Sequence, residues 1–187
     1  MITAGLDQIT EASNSMQSEL INLANEISVH TDWWLFPKQE PIQGFWGAGP
    51  VFIVGDQPST SEWGPEHPQR TVFDETLEAV GLENAHLTDL YKKRGLSGSL
   101  ESGLPTDFPL HLNLFRQEMR LLQPRKIIAL GELAQRLLIQ NLPEWQQSIP
   151  RIWHFSHVVK VGKQSRYAEN MREIIAGCSS LLTTAKP

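Results

Sequence analysis

Side chains capable of acid–base chemistry follow three separate apolar segments of the chain. Asp56 and Gln57 come directly after one such segment, Asp89 closes a second, and His154 lies at the end of a third. A carboxylate can orient a water molecule, and an imidazole can donate a proton near neutral pH. These groups can act together only if the fold brings the three segment ends to one place.

The order of the elements indicates how the segment ends meet. The apolar segments VFIVG, AHLTDLY, KIIALG and RIWHFSH predict β-strands, and helical periodicity separates them. Alternating strands and helices predict an α/β fold, which we expect to be a three-layer α/β/α sandwich around a mostly parallel, four-stranded sheet. The ligand crevice of such sheets lies at the carboxyl ends of the strands. The predicted helices span residues 14–29, 71–81, 110–124, 132–141 and 166–182.

Length and composition predict one domain that covers residues 1–187. The chain is 40% apolar and 20% charged, which is ordinary for a globular protein. Residues 1–49 form an N-terminal helix followed by an extension rich in aromatic residues. We expect Trp33, Trp34 and Trp46 of this extension to pack on the core, and stacking on bases is the alternative.

Charge is divided unequally along the chain. Residues 1–90 hold two basic and fourteen acidic side chains, whereas residues 91–187 hold fourteen basic and seven acidic ones. This asymmetry favours a polyanion-binding face, although the same charges can also be scattered over solvated surfaces. The single cysteine, Cys178, and the lack of a signal peptide or membrane-length apolar run favour a cytoplasmic protein, which we expect to be a monomer with no membrane partner.

Three motifs resemble those of the uracil-DNA glycosylase superfamily. The segment VFIVGDQPS is similar to the family's first motif, a strand followed by Gly, two variable residues, Pro and a small residue. HLTDLYKKRG resembles the strand in which iron–sulfur members carry Thr-Asn before a basic segment, and HFSH resembles the late His-Pro-Ser motif. The resemblance covers roughly residues 50–175, and the order of the motifs makes it more specific than any motif alone.

The resemblance implies hydrolysis of the N-glycosidic bond of a flipped DNA base, in single- or double-stranded DNA. Breaking this bond produces an oxocarbenium-like sugar and an anionic base. Asp56 would supply negative charge near the sugar and orient the water, and His154 would donate to the base. Water is the expected nucleophile, because the motifs offer no lysine to form a Schiff base.

Three departures from the family pattern bear on the expected chemistry. The cluster cysteines are missing, so no iron–sulfur cluster or other cofactor, and no metal, is implied. Phe155 replaces the usual Pro of the third motif. Asp89 stands where many members have the Asn that reads uracil. A carboxylate only accepts hydrogen bonds and would repel O4 of uracil unless protonated, so we hypothesise a cytosine-type or otherwise modified base.

The remaining site residues are assigned by their positions in the motifs. Base contacts are expected from Gln57 and Asp89, with stacking by Trp63 or by Phe73, which also fits the core of its helix. Val158, with Val159, is expected to form the wedge that fills the vacated stack. The residues assigned to DNA contact are Pro58, Ser59, Ser156, His157, Val158, Lys160 and Lys163, with Arg166 close by.

Other interpretations stay open at this point. Asp56 can be a helix cap, Asp89 can cap a helix or pair with a neighbouring basic residue, and His154 can be structural. The second candidate function is a nucleic-acid-binding relative that no longer cleaves. The third is an unrelated α/β enzyme for a nucleotide or a small phosphorylated substrate.

Overall fold

The computed structural model describes a parallel α/β fold. It covers residues 18–26, 47, 49–58, 68–93, 99–145, 147–154, 157–158, 162 and 164–176. The strands are β1 (Val51–Gly55), β2 (His86–Asp89), β3 (Lys126–Leu130) and β4 (Arg151–Ile152). The helices are α1 (18–26), α2 (Pro68–Ala79), α3 (Ser99–Ser102), α4 (Phe108–Leu122), α5 (Glu132–Asn141) and α6 (Gln164–Ala176).

The four strands form one sheet in the order β2-β1-β3-β4, and every neighbouring pair is parallel. The predicted α/β class and the four-stranded parallel sheet are therefore confirmed. After β2 the chain crosses to the other side of β1, so the winding direction reverses between β1 and β3. A reversal of this kind opens a crevice outside the carboxyl ends of the central strands.

Alternating side chains of β1 belong to two different apolar clusters. Phe52 and Val54 lie in a cluster with residues of α1, α4 and α5. Ile53 lies in a second cluster with residues of α2 and α6. Because successive side chains of a strand point to opposite faces, helical residues cover both faces of β1. This burial explains why the strand is a continuous apolar run rather than an alternating one.

The end of α2 agrees with the sequence. Gly81 has φ of +72°, its N–H donates to the Glu78 carbonyl at 3.1 Å, and the Leu82 N–H donates to the Leu77 carbonyl at 2.8 Å. These two bonds make a Schellman motif, which uses a glycine in the left-handed region. The helix begins at Pro68, three residues earlier than its apolar spacing predicted, because proline fits the first turn of a helix.

The fourth strand is much shorter than predicted. It pairs with β3 only at Arg151 and Ile152, and the chain turns soon afterwards, where the N–H groups of His157 and Val158 donate to the His154 carbonyl. The polar end of RIWHFSH was therefore wrongly assigned to a strand. Helix α3, which lies in a segment rich in glycine and serine, was not among the predicted helices. In the part of the chain that the structure describes, every helix is too short or too polar to cross a bilayer.

Candidate functional site

Asp56 and Asp89 lie at the ends of neighbouring strands. In the β1–β2 register Gly55 is level with Asp89. The pairing continues beyond both strands, since the Leu90 N–H donates to the Gly55 carbonyl and the Tyr91 N–H donates to the Asp56 carbonyl, each at 3.0 Å. The backbone therefore holds the two acidic residues side by side at the carboxyl edge of the sheet.

Gly55 provides the space for the Asp89 carboxyl group. A Cβ atom built on Gly55 would collide with Asp89 Oδ1, well inside van der Waals contact. The glycine of the first motif is therefore required by close approach rather than by a turn. Sequence and structure agree here: the residue after the strand core is small because the neighbouring strand places a side chain against it.

We expect Gly55→Ala to destabilise the protein by about 1–3 kcal/mol, because the added methyl group must displace the Asp89 carboxyl. Urea denaturation of a double-mutant cycle with Asp89→Ala measures this. In the Asp89→Ala background, Gly55→Ala should cost much less, since the colliding oxygen is gone. Additive effects of the two substitutions would contradict the assigned contact.

The Asp56 carboxylate is half-buried and has a raised pKa. Burial is the main cause, and Glu101 on α3 adds to it by charge repulsion. The backbone N–H groups of Asp56 and Gln57 hydrogen-bond the carboxylate and partly offset the rise. These bonds orient the carboxylate, and the raised pKa makes it a stronger base than an exposed aspartate.

Asp89 is buried, with 7% of its surface exposed. The pKa of Asp89 is raised to about 8: burial is the main cause, Lys92 lowers the pKa, and Asp56 and Glu118 raise it. At pH 7 the group is therefore mainly a neutral carboxylic acid, which has one O–H donor and retains an acceptor oxygen. The sequence analysis treated Asp89 as an acceptor only, and the burial seen in the structure changes that expectation.

A buried polar cluster lies next to the carboxyl end of β2. Lys92 is ion-paired with Glu118 Oε1 and donates a hydrogen bond to Thr88 Oγ1. His86 Nε2 lies 3.3 Å from Glu118 Oε2, and His86 Nδ1 lies 2.7 Å from the Gly47 carbonyl oxygen. Because Lys92 and His86 both stabilise the carboxylate, the pKa of Glu118 is lowered despite its burial. Both His86 ring nitrogens therefore lie within hydrogen-bonding distance of an oxygen atom.

Glu118 was assigned no role from the sequence, and Lys92 was considered only as one of the basic neighbours with which Asp89 could pair. The spacing did indicate that Glu118 is buried. It stands three residues after the buried Phe115 on α4 and so falls on the apolar face of that helix. Nothing in the sequence indicated that Lys92 is buried, since a lysine in a basic run is ordinarily exposed. The expectation that Asp89 pairs with a basic neighbour is met only in part. The ion-pair partner of Lys92 is Glu118, while the charge of Lys92 lowers the pKa of Asp89.

A second set of contacts fixes the chain after β2. The Lys92 N–H donates to His111 Nδ1 at 3.0 Å, and the Tyr91 hydroxyl donates to Asp107 Oδ1 at 3.0 Å. Burial lowers the pKa of His111 to about 4, so the ring is neutral and its Nδ1 can accept. The beginning of α4 is therefore attached to the same edge of the sheet as Asp89.

His154 lies at the same edge, but farther from Asp56. It follows β4, which is two strands away from β1 in the sheet. Two strand spacings are roughly 10 Å. Between them lies Gly131, with φ of +93°, where an added Cβ would meet nothing within 4 Å. The structure thus brings Asp56 and Asp89 together on adjacent strands, and it places the half-buried His154 after a strand that is two positions away from β1.

An aromatic and basic surface group surrounds the end of β4. The His157 ring packs edge-on against Trp153 at a centroid distance of 5.7 Å. The Arg166 guanidinium lies over the same indole, 5.9 Å from its centroid. His157 and Arg166 are exposed, and Trp153 is half-buried. We call these three residues the Trp153 group; the sequence analysis included its two basic members and missed the tryptophan.

The other assigned residues are placed less favourably or lie outside the described residues. Gln57 is half-buried next to Asp56, and Pro58 is buried. Phe73 and Val158 are 1% and 0% exposed and belong to the second apolar cluster. A wedge or a stacking platform must be exposed, so we do not carry those two roles further. The assigned residues outside the described part are Ser59, Trp63, Ser156, Val159, Lys160 and Lys163. Trp33, Trp34 and Trp46, which were expected to pack on the core, also lie outside it.

The described residues contain no group of three or more His, Cys, Asp or Glu side chains that could hold a metal ion. No family model matches the chain, and no curated protein matches it in sequence.

Proposed function

We propose that this protein is a DNA base glycosylase that hydrolyses the N-glycosidic bond of a flipped uracil-like or modified base. The observation that carries the proposal is the pairing of Asp56 and Asp89 at adjacent strand ends. One is a half-buried acid oriented by backbone N–H groups, and the other is a buried acid with both a donor and an acceptor. In such a pair, one carboxyl group can act on the sugar while the other contacts the base.

Asp56 acts at the sugar in this proposal. As the bond between C1′ and the base nitrogen breaks, its electron pair leaves with the base, and the ionised Asp56 stabilises the positive charge on the sugar. The carboxylate also orients a water, whose oxygen bonds to C1′ while its proton passes to Asp56. Lys92 stands in the second motif, but its ammonium is buried against Glu118. That burial favours water over a Schiff base.

Asp89 reads the base in this proposal. A neutral carboxyl group can donate its O–H to a ring carbonyl and accept from a neighbouring ring N–H, as an Asn amide does. An ionised group would instead accept from an exocyclic amino group, as on cytosine. Near neutral pH the proposal therefore favours a base with the uracil pattern. The selectivity for a cytosine-type base, which the sequence favoured, is expected to increase as the pH rises above about 8.

The Trp153 group is proposed to contact the DNA backbone. Arg166 and His157 are exposed at the carboxyl end of β4, close in sequence to His154. Arginine and imidazolium groups bind phosphate oxygens, and such contacts orient nucleic acid without reading its sequence.

We expect Arg166→Ala to weaken DNA binding about equally for all sequences. The loss of one phosphate contact should reduce the slope of log K against log salt concentration by about 0.9 for duplex DNA. Fluorescence anisotropy across a salt series measures both quantities. Arg172→Ala, an exposed arginine on the same helix, is the matched control. Equal effects of the two substitutions would indicate general charge attraction and exclude a specific contact at Arg166.

A strand-nicking assay tests the proposed activity. Labelled oligonucleotides with uracil, hypoxanthine, 5-modified cytosines or plain cytosine, single- and double-stranded, are incubated with the protein and then treated with alkali. An abasic site on one substrate, lost in Asp56→Asn, supports the proposal and identifies the base. Binding without cleavage on any substrate would favour the non-catalytic relative, and failure of DNA to bind at all would favour the unrelated α/β enzyme.

A further inference from the structure

The charged groups that face Asp89 come from three parts of the fold. Asp56 follows β1, Lys92 follows β2, and Glu118 projects from α4. Two of these carry the same charge that Asp89 would gain on ionisation, and one carries the opposite charge. Burial is the largest influence on the pKa of Asp89, and Lys92 is the next. The ionisation of Asp89 therefore depends on where the buried Lys92 ammonium is held.

The structure holds that ammonium on Glu118. Within the described part of the chain, the ion-pair partner of Lys92 is Glu118 Oε1. Thr88 Oγ1 accepts a further hydrogen bond from the same ammonium. Phe115 also constrains it, since Lys92 Nζ lies 5.4 Å from the centroid of that ring. Lys92 is 2% exposed and Glu118 is 0% exposed, so water does not screen the pair.

We propose that Glu118 is a positioning residue that acts on Asp89 through Lys92: by holding the ammonium, Glu118 keeps the Asp89 carboxyl neutral and able to donate to the base. If the ammonium moved to Asp89, the ionised carboxylate would only accept, and the preferred hydrogen-bonding pattern of the base would be reversed. The Glu118–Lys92 pair thus determines base selectivity. The identity of the ligand rests on the proposed function, whereas the state of the carboxyl group does not.

A nuclear magnetic resonance titration tests the inference without any substrate. The ¹³C carboxyl signal of Asp89, assigned with Asp89→Asn, is followed against pH in the whole protein. In Glu118→Gln the midpoint should fall by about one pH unit or more, because a like charge is lost and Lys92 is released toward Asp89. In Lys92→Met the midpoint should move the opposite way. Glu144→Gln removes an exposed carboxylate paired with Arg116 at 3.1 Å and should leave the midpoint unchanged.

Three results would overturn the inference. A midpoint in the unmodified protein near the ordinary 3.8 would show that Asp89 is not held neutral. An unchanged midpoint in folded Glu118→Gln would show that Glu118 has no influence on Asp89. Shifts in the same direction in Glu118→Gln and Lys92→Met would indicate general disruption of the site.

A result that contradicts this inference can be distinguished from one that contradicts the proposed function. The titration of the wild-type protein shows whether Asp89 is held neutral, even if a variant does not fold. If the protein excises no base, the proposed function fails while the titration still decides the state of Asp89. If it excises a base, the pH dependence of selectivity should follow the Asp89 midpoint, and should move with it in Glu118→Gln.

Discussion

Asp56→Asn is expected to reduce the rate of abasic-site formation by about 10²–10⁴-fold, the usual contribution of a general base. The amide cannot accept the proton of the attacking water and carries no charge to stabilise the sugar cation. DNA binding should change little, because Asp56 is half-buried at the sheet edge and is not part of the Trp153 group. Single-turnover nicking measures the rate, and anisotropy measures binding.

Glu101→Gln is the matched control for this experiment. Glu101 raises the pKa of Asp56 by charge repulsion, so its removal should lower that pKa and let Asp56 ionise at lower pH. Activity should persist, and the acidic limb of the pH–rate profile should move to lower pH. Full activity in Asp56→Asn would exclude the catalytic role of this carboxylate.

Asp89→Asn is expected to stabilise the protein at neutral and alkaline pH. The native pKa of about 8 lies well above the ordinary 3.8, so between these values the unfolded chain has lost a proton that the folded protein keeps. The free energy of unfolding therefore falls as pH rises from about 4 to about 8. The amide of Asp89→Asn does not titrate, so this position adds no pH dependence to the free energy of unfolding of the variant. The difference should be about 2–4 kcal/mol at pH 7, since each pH unit is worth about 1.4 kcal/mol.

Urea denaturation across this pH range checks the expected stabilisation. Wild type and Asp89→Asn should have similar stability near pH 4 and diverge above it, with the difference levelling off above about pH 8. Glu78→Gln, an exposed carboxylate on α2, should show no such divergence. A constant difference between Asp89→Asn and wild type at all pH values would mean that Asp89 is ionised in both states.

The parts of the fold that depend on local pattern were predictable. Strand β1 and helix α5 match their predicted segments at both ends, and β3 ends one residue before the glycine that closed its predicted segment. The placement of Asp56 beside Asp89 followed from one topological rule, that parallel strands end at the same edge.

The parts that depend on distant partners were not predictable. The end of β4 is set by how far β3 extends beside it, which RIWHFSH does not encode. The protonation of Asp89 depends on burial and on Glu118, a residue of α4. Glu118 and His86 are 32 residues apart. No sequence spacing indicates that such residues meet, so the buried cluster emerges only in three dimensions.

The short pairing of β4 has a bearing on how this site can evolve. Asp56 follows β1 and Asp89 ends β2, two strands that pair over four residues. Strand β1 also pairs over four residues with β3, and a change in its register would disrupt both apolar clusters. His154 follows a strand joined to the sheet at only two residues. Changes directly after Ile152 therefore leave the pairing of β1 with β2 and β3 in place. Descendants of this chain can therefore change the residues next to His154 while they keep Asp56 and Asp89 in the same positions.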